Sequence, residues 1–318
     1  MTTRRQLDSV ATELRDALTR LPRTLPPRWL YDDRGSELFS QITGVPEYYQ
    51  TETERQILAD HSAAIAEITE ASTVIELGSG TSDKTRTLLD AFVAHGLIER
   101  FVPLDVSEAT LLEAAVLLRE EHPEIDVEPV VGDFTRHLHR LSSVPTPGRR
   151  LVMFLGGTIG NFYVEERRAF LGALADVLSP GDWVMVGIDR VKDIDRLIAA
   201  YDDDQGITEA FIRNALTNIN RTFDGDLDAG NFGYVPFWDG RQERIDMRLR
   251  ACEPMSARFE DLDLDLDLAA GEELRVEISS KFRPEGIVGE LHDVGFDAGE
   301  HVFSDGDDDF SVVLARRS

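Results

Sequence analysis

From residue 73 onward, short and almost wholly apolar runs alternate with longer stretches whose apolar positions recur at helical spacing. The runs at 73–77, 101–105, 127–131, 150–156 and 183–189 predict strands. The stretches near 82–95, 107–121 and 164–178 predict the helices between them. Strands this continuously apolar belong in a parallel sheet covered on both faces. The fold class is therefore α/β, a doubly wound sheet, whose ligands sit beyond the carboxyl ends of the strands.

Outside this region the rhythm changes. Residues 5–20 carry apolar positions at helical spacing, Pro22 ends that helix, and Pro26-Pro27 stiffens the chain after it. A short helix is expected near 35–42, then a tyrosine-rich loop, Val45-Pro46-Glu47-Tyr48-Tyr49-Gln50. Residues 51–61 predict a helix in which Thr51 and Glu54 have capping-box spacing. After Asp189, residues 192–216 look helical, 221–240 look loop-rich, and 243–251 and 260–268 predict antiparallel strands. In the last of these, Leu262, Leu264, Leu266 and Leu268 alternate with Asp261, Asp263, Asp265 and Asp267, the pattern of a half-buried strand with a solvated acidic face. A calcium loop would need a central glycine that is missing. Phe310-Ser311-Val312-Val313-Leu314 reads as a closing strand of the main sheet. We therefore expect two parts: an α+β lobe formed by 1–60 and the insertion 190–281, and a doubly wound domain of 61–189 and 282–318.

The 318 residues carry a formal charge of -27, which argues against nucleic-acid and anionic-membrane partners. Cys252 is the sole cysteine, so no intramolecular disulfide forms and a reducing cytoplasm is expected. The N-terminal residues 2–8 lack the apolar core of a signal peptide, and no apolar run has the length of a membrane span. With no exposed apolar stripe evident, a monomer is expected.

Candidate chemistry starts at Val74-Ile75-Glu76-Leu77-Gly78-Ser79-Gly80-Thr81-Ser82, where a strand runs into a tight pair of glycines that lets a cofactor approach the backbone. A dinucleotide site wants a glycine where Asp83 stands, and a phosphate loop wants one just before Lys84-Thr85. A carboxylate there would repel phosphate. The first motif of class I methyltransferases, Asp/Glu-x-Gly-x-Gly-x-Gly, resembles this stretch at Glu76, Gly78 and Gly80, with Ser82 in place of the last glycine. S-adenosylmethionine is a sulfonium without phosphate, so nearby acids are tolerated. Asp105 ends the second strand about 25 residues past the glycine turn, where an acid accepts from ribose hydroxyls. Gly132-Asp133-Phe134 follows the third strand, where such methyltransferases place an acceptor for the adenine amino group and a ring on the base. The plainer reading is that Asp105 and Asp133 only cap the helices after them.

Further segments sharpen the resemblance: Tyr31-Asp32 with Gly35-Ser36, Pro46-Glu47-Tyr48-Tyr49, Lys84-Thr85-Arg86, Phe154-Leu155-Gly156 through Asn161, Tyr201-Asp202-Asp203, Arg244-Ile245-Asp246-Met247, and Glu277 through Pro284. With these, nearly the whole chain resembles the histidine Nα-methyltransferases of ergothioneine biosynthesis. That resemblance implies a Rossmann-like class I fold with a substrate lobe, and Nα-trimethylation of L-histidine to hercynine with S-adenosyl-L-methionine as cofactor and no metal. It also implies roles. Asn161 and Tyr201 would hold the substrate carboxylate; Tyr48, Glu277 and Ser279 the imidazole; Met247 would line that pocket. Tyr31 would lie near the amine and the transferred methyl, the catalytic position. Glu76, Gly78, Gly80, Lys84, Asp105, Gly132, Asp133 and Phe134 would bind the cofactor.

Each residue has a plainer reading too: a buried tyrosine is usually core, and a glutamate on an exposed strand is usually solvated. Two alternatives stay open at this point. One is an Nα-methyltransferase for another, aromatic amino acid, which would not need Glu277. The other is a module that binds the cofactor without catalysis.

Overall fold

The computed structural model describes residues 4–143 and 146–318. In chain order these form α1 (Arg4–Thr19), α2 (Asp33–Ile42), α3 (Gln50–Thr69), β1 (Ala71–Leu77), α4 (Asp83–Ala94), β2 (Arg100–Asp105), α5 (Glu108–Glu121), β3 (Asp126–Val127), β4 (Val130–Val131), α6 (Phe134–His137), β5 (Arg149–Phe154), α7 (Val164–Val177) and β6 (Trp183–Asp189). Next come α8 (Ile194–Ala199), α9 (Ile207–Phe223), β7 (Phe232–Asp239), β8 (Arg244–Ala251), β9 (Met255–Phe259), β10 (Leu264–Leu268), β11 (Glu273–Ser280), α10 (Pro284–Asp293), β12 (Phe296–Asp297), β13 (Val302–Ser304) and β14 (Phe310–Arg317).

The chain divides into two compact units, Met1–Tyr49 with Lys192–Ser279, and Gln50–Val191 with Ser280–Ser318. Met1, Thr2 and Thr3 of the expected lobe lie outside the described residues. The first break falls after Tyr49 rather than near 60, because α3 does not stop at 61. It continues to Thr69 and buries Ile57, Leu58, Ile65 and Ala66 in the core of the second unit.

The second unit is a single sheet in the order β12-β14-β6-β5-β1-β2-β3, with β4 also on β2 and β13 on β14. Strands β1 to β6 pair in parallel, whereas β14 runs antiparallel to β6, from Phe310 opposite Asp189 to Arg316 opposite Trp183. Period-2 alternation sends successive apolar side chains to opposite faces. Val74, Phe101, Leu151, Met153 and Met185 pack against α3, α4 and α5; Ile75, Val102, Val152, Phe154 and Val184 pack against α7 and α10. Both faces are thus covered, which is why these strands carry so few polar positions. The expected strand 127–131 is two short pieces, because Pro129 has no N–H to give the ladder.

The first unit gathers α1, α2, α8 and α9 around the sheet β11-β8-β7 and the antiparallel pair β9–β10, over one core that includes Leu14, Trp29, Leu38, Phe211, Leu216, Leu249, Leu264 and Val276. The acidic segment behaves as its alternation requires: Leu264, Leu266 and Leu268 are buried while Asp265 and Asp267 are exposed. The strand begins only at Leu264, since Glu260–Leu262 is a 3-10 turn. Part of the stretch expected as loop, 221–240, is strand β7. It tolerates Pro236 because it lies at the sheet edge. The expected helix 192–216 is two helices. They are parted where the Asp203 carboxylate accepts from Ile207 N at 2.9 Å and Thr208 N at 2.8 Å and so starts α9 afresh.

Candidate active site

The turn after β1 is locked to the end of β2. Gly78 N and Ser79 N donate to Leu104 O at 2.8 and 3.1 Å, and Gly80 N donates to Asp105 Oδ2 at 2.9 Å. The other Asp105 oxygen accepts from Ser107 N at 2.8 Å. Gly78 and Gly80 have φ of +71° and +51°, a region that costs most side chains steric strain. Ser82, which replaces the third glycine of the generic motif, takes the same left-handed backbone at φ +54°. The turn keeps the glycine geometry even where the glycine is gone.

Above this turn the structure leaves room. Nothing lies within 4 Å of a Cβ built on Gly80, and the nearest atom to one on Gly78 is Phe134 Cε1 at 3.5 Å. Phe134 sits edge-on against Phe154, with ring centroids 5.1 Å apart. Glu76 is buried; one oxygen accepts from Thr85 Oγ1 at 2.6 Å, and among the described residues Oε2 has no partner. Burial pushes its carboxyl up to about 7, against the opposing pull of Thr85 and Lys84. Asp133 caps α6, Oδ1 accepting from Thr135 N at 2.9 Å, and Gly132 N donates to Asp105 O at 2.9 Å. Lys84 pairs with Glu54 of α3. Glu54 therefore does not close a capping box with Thr51; its carboxylate also accepts from Gly156 N at 2.9 Å. Asn161 ends the 3-10 turn after β5 in the same unit.

These residues fit S-adenosylmethionine. An orphaned buried acceptor, an open glycine turn, carboxylates at the ends of β2 and β4, and a ring beside the turn suit a cationic nucleoside. A phosphate at the turn would meet the Asp105 carboxylate, which already holds Gly80 N.

The first unit brings together most of the remaining candidates. The hydroxyls of Tyr201 and Ser279 lie 2.8 Å apart, and Tyr48 meets the Tyr201 ring edge-on with centroids 6.1 Å apart. Glu277 and Ser279 are two apart on β11 and so share a face. Met247, Glu277 and Ser279 are all buried. Burial pushes the Glu277 carboxyl up to about 8. Tyr31 stands further toward solvent, 37% exposed, edge-on to Phe39 and Phe211. The next residue fixes its chain direction: Asp32 caps α2 through Gly35 N at 2.8 Å and accepts from Asn214 Nδ2 at 2.6 Å.

Two neighbours of these residues escaped the sequence reading. Tyr234 donates to the Tyr201 carbonyl at 2.7 Å, and burial, with the negative charge of Asp202, holds its phenol well above the usual range. It lay in a stretch read as loop. Glu54 gave a signal, but the capping spacing explained it wrongly.

A parallel sheet closed by one antiparallel strand, with a glycine turn after β1 and acids at the next two strand ends, defines a class I S-adenosylmethionine-dependent methyltransferase. Residues 10–317 match the model of the histidine-specific, SAM-dependent methyltransferase family, and the chain belongs to that family. It is 47% identical over 310 residues to the histidine N-alpha-methyltransferase of Mycolicibacterium smegmatis, covering 98% of this chain and 95% of the relative. It is also 47% identical to the histidine N-alpha-methyltransferase of Mycobacterium tuberculosis, over 87% of this chain and 86% of the relative. Ergothioneine biosynthesis protein 1 of Schizosaccharomyces pombe is 36% identical over 68% of this chain, which corresponds to 29% of that protein.

Proposed function

We propose that this chain transfers methyl groups from S-adenosylmethionine to the α-amine of L-histidine, three times in succession, to give hercynine for ergothioneine biosynthesis. The observation that carries the substrate choice is the buried carboxylate of Glu277, two residues from Ser279 on one strand and in a family specific for histidine. A phenyl ring offers a buried acid no hydrogen bond and an indole offers a single N–H, so neither pocket needs one as imidazole, with two ring nitrogens, does. A pocket for imidazole gains a hydrogen bond between the ring and the Glu277 carboxyl, about 0.5–1.5 kcal/mol, and avoids burying a ring nitrogen unpaired.

In this reading Glu277, Ser279 and Tyr48 hold the ring, Met247 lines its pocket, and Tyr201 and Asn161 donate to the substrate carboxylate. Neutral donors do this without the desolvation of an ion pair. Glu76, Gly78, Gly80, Lys84, Asp105, Gly132, Asp133 and Phe134 bind the cofactor. Bound S-adenosylmethionine supplies a methyl carbon already activated by its sulfonium. What the protein adds is alignment of the neutral amine with that carbon. No strong base is required, because the amine can lose its proton to water before attack. The rings of Tyr31 and Tyr48 favour the growing ammonium as methyl groups accumulate. The reading places the protein in the cytoplasm as a monomer. Among the described residues no helix is long and apolar enough to cross a membrane.

The test is mass spectrometry of products after incubation with S-adenosylmethionine and each standard amino acid separately. Histidine alone should gain three methyl groups. Turnover of another amino acid would overturn the pocket assignment while keeping the methyltransferase.

A further inference from the structure

The polar edge of α3 contains a carboxylate that neither the fold nor the cofactor motif accounts for. Glu54 is fully buried, with 0% of its side chain exposed, whereas its partner Lys84 keeps 20%. Its two oxygens receive the Lys84 ammonium and the Gly156 amide N–H at the end of β5. The space for it is made at Gly187 on β6, where a Cβ would lie 2.0 Å from Glu54 Oε1. One buried acid thus ties together α3, α4 and the ends of two strands, all on the carboxyl side of the sheet.

A buried acid is costly to hold charged unless it is paired and hydrogen-bonded. Here the Lys84 ammonium and the Gly156 N–H meet both needs. The gain is geometric. Lysine is a long, flexible cation, and an ammonium free to wander loses rotamer entropy each time it meets a ligand. Pinned by Glu54, Lys84 Nζ stays 3.6 Å from the position a Cβ would take on Gly156. Lys84 and the Gly156 backbone are then held as one unit beside the glycine turn.

We propose that Glu54 is a positioning residue for the methyl donor. It fixes Lys84 and the Gly156 backbone so that together they receive the zwitterionic amino-acid end of S-adenosylmethionine. Glu54 itself touches no ligand. The proposal rests on the reading of Lys84 as a cofactor residue, and the experiment separates the two.

The experiment measures S-adenosylhomocysteine affinity by calorimetry, with the Michaelis constants for both substrates, in Glu54→Gln, Lys84→Met and Lys84→Arg. Glu54→Gln keeps an oxygen for Gly156 N–H but removes the charge from beside Lys84. It should weaken S-adenosylhomocysteine about tenfold, the scale of one charged hydrogen bond, and leave the histidine KM unchanged. Parallel loss in both Michaelis constants, as a purely structural role would give, overturns the proposal. Should Glu54→Gln not fold, Lys84→Arg carries the test. It keeps the charge but cannot seat an ammonium on Glu54, and wild-type affinity in that variant overturns the proposal. Unchanged affinity in Lys84→Met removes Lys84 from the cofactor site and the proposal with it. Weak binding in Lys84→Met with normal binding in Glu54→Gln overturns the positioning role alone.

Discussion

The Tyr201 hydroxyl lies 2.8 Å from Ser279 Oγ, which joins the loop between α8 and α9 to the last strand of the first unit. The same tyrosine is held from behind, its carbonyl accepting from the Tyr234 hydroxyl at 2.7 Å. A loop residue is thus fixed at both ends, as a group that positions a substrate must be. Tyr201→Phe should raise the histidine KM about tenfold, one hydrogen bond to a carboxylate, with S-adenosylhomocysteine affinity unchanged. Tyr234→Phe should act in the same direction but more weakly, since it only loosens Tyr201. Steady-state kinetics with each substrate varied reads both, and a wild-type KM in Tyr201→Phe would remove that residue from the substrate site.

Replacing Glu277 separates the two ligands. Glu277→Ala removes the hydrogen-bond partner of the imidazole and leaves a polar pocket unfilled. The expected rise in histidine KM is on the order of a hundredfold. Calorimetric titration with S-adenosylhomocysteine should stay within about twofold of the wild type, because the cofactor residues lie on other strands. Equal losses for both ligands would sink the imidazole assignment.

The same carboxylate makes stability depend on pH in a definite direction. Burial raises Glu277 to about 8 and Glu76 to about 7, both from an ordinary 4.5. Between those values the folded protein holds protons that the unfolded chain has released. Stability therefore falls as pH rises from the ordinary value through the raised ones, then levels off. Urea denaturation of the unliganded protein at about pH 5.5 and about pH 8.5 should differ by on the order of 5 kcal/mol from these two groups. Glu277→Gln, neutral throughout, should lose much of that decline. An unchanged decline in the variant would mean that Glu277 is not held protonated.

How much could be read in the sequence depends on where the signal is local. The parallel strands could be placed because Val74-Ile75, Leu151-Val152-Met153 and Val184-Met185-Val186 are buried on both faces, and such runs have few other uses. The glycine turn is local too, and Ser82 shows that its geometry survives substitution. The first unit was harder to read. Strand β7 carries Gly233 and Pro236, which an edge strand accepts and a propensity reading rejects. The break before α9 depends on Asp203 accepting from Ile207 and Thr208, a cap inside a stretch that otherwise looks continuously helical. Glu54 was misassigned because its spacing from Thr51 fits a capping box. Its partners, 30 and 102 residues away, leave no local trace.

The two acids of the cofactor site differ in a way that predicts different variants. Asp105 uses both oxygens on backbone N–H groups, Oδ2 on Gly80 and Oδ1 on Ser107. An amide can offer only one oxygen, so Asp105→Asn turns an NH₂ toward one of those donors. Asp133 puts Oδ1 alone on the turn, accepting from both Thr135 N and Thr135 Oγ1. Asn caps about as well as Asp, so Asp133→Asn keeps the turn and changes what Oδ2 presents to a ligand and to the exposed Arg136, whose Nε lies 3.7 Å away. Asp133→Asn should stay within about 0.5 kcal/mol of wild-type stability while weakening S-adenosylhomocysteine about tenfold. Asp105→Asn should lose both stability, by about 1–3 kcal/mol, and affinity, because the glycine turn itself depends on that carboxylate. Denaturation without ligand, set beside calorimetry with S-adenosylhomocysteine, distinguishes the two. Wild-type affinity in Asp133→Asn would leave Asp133 as a helix cap and nothing more.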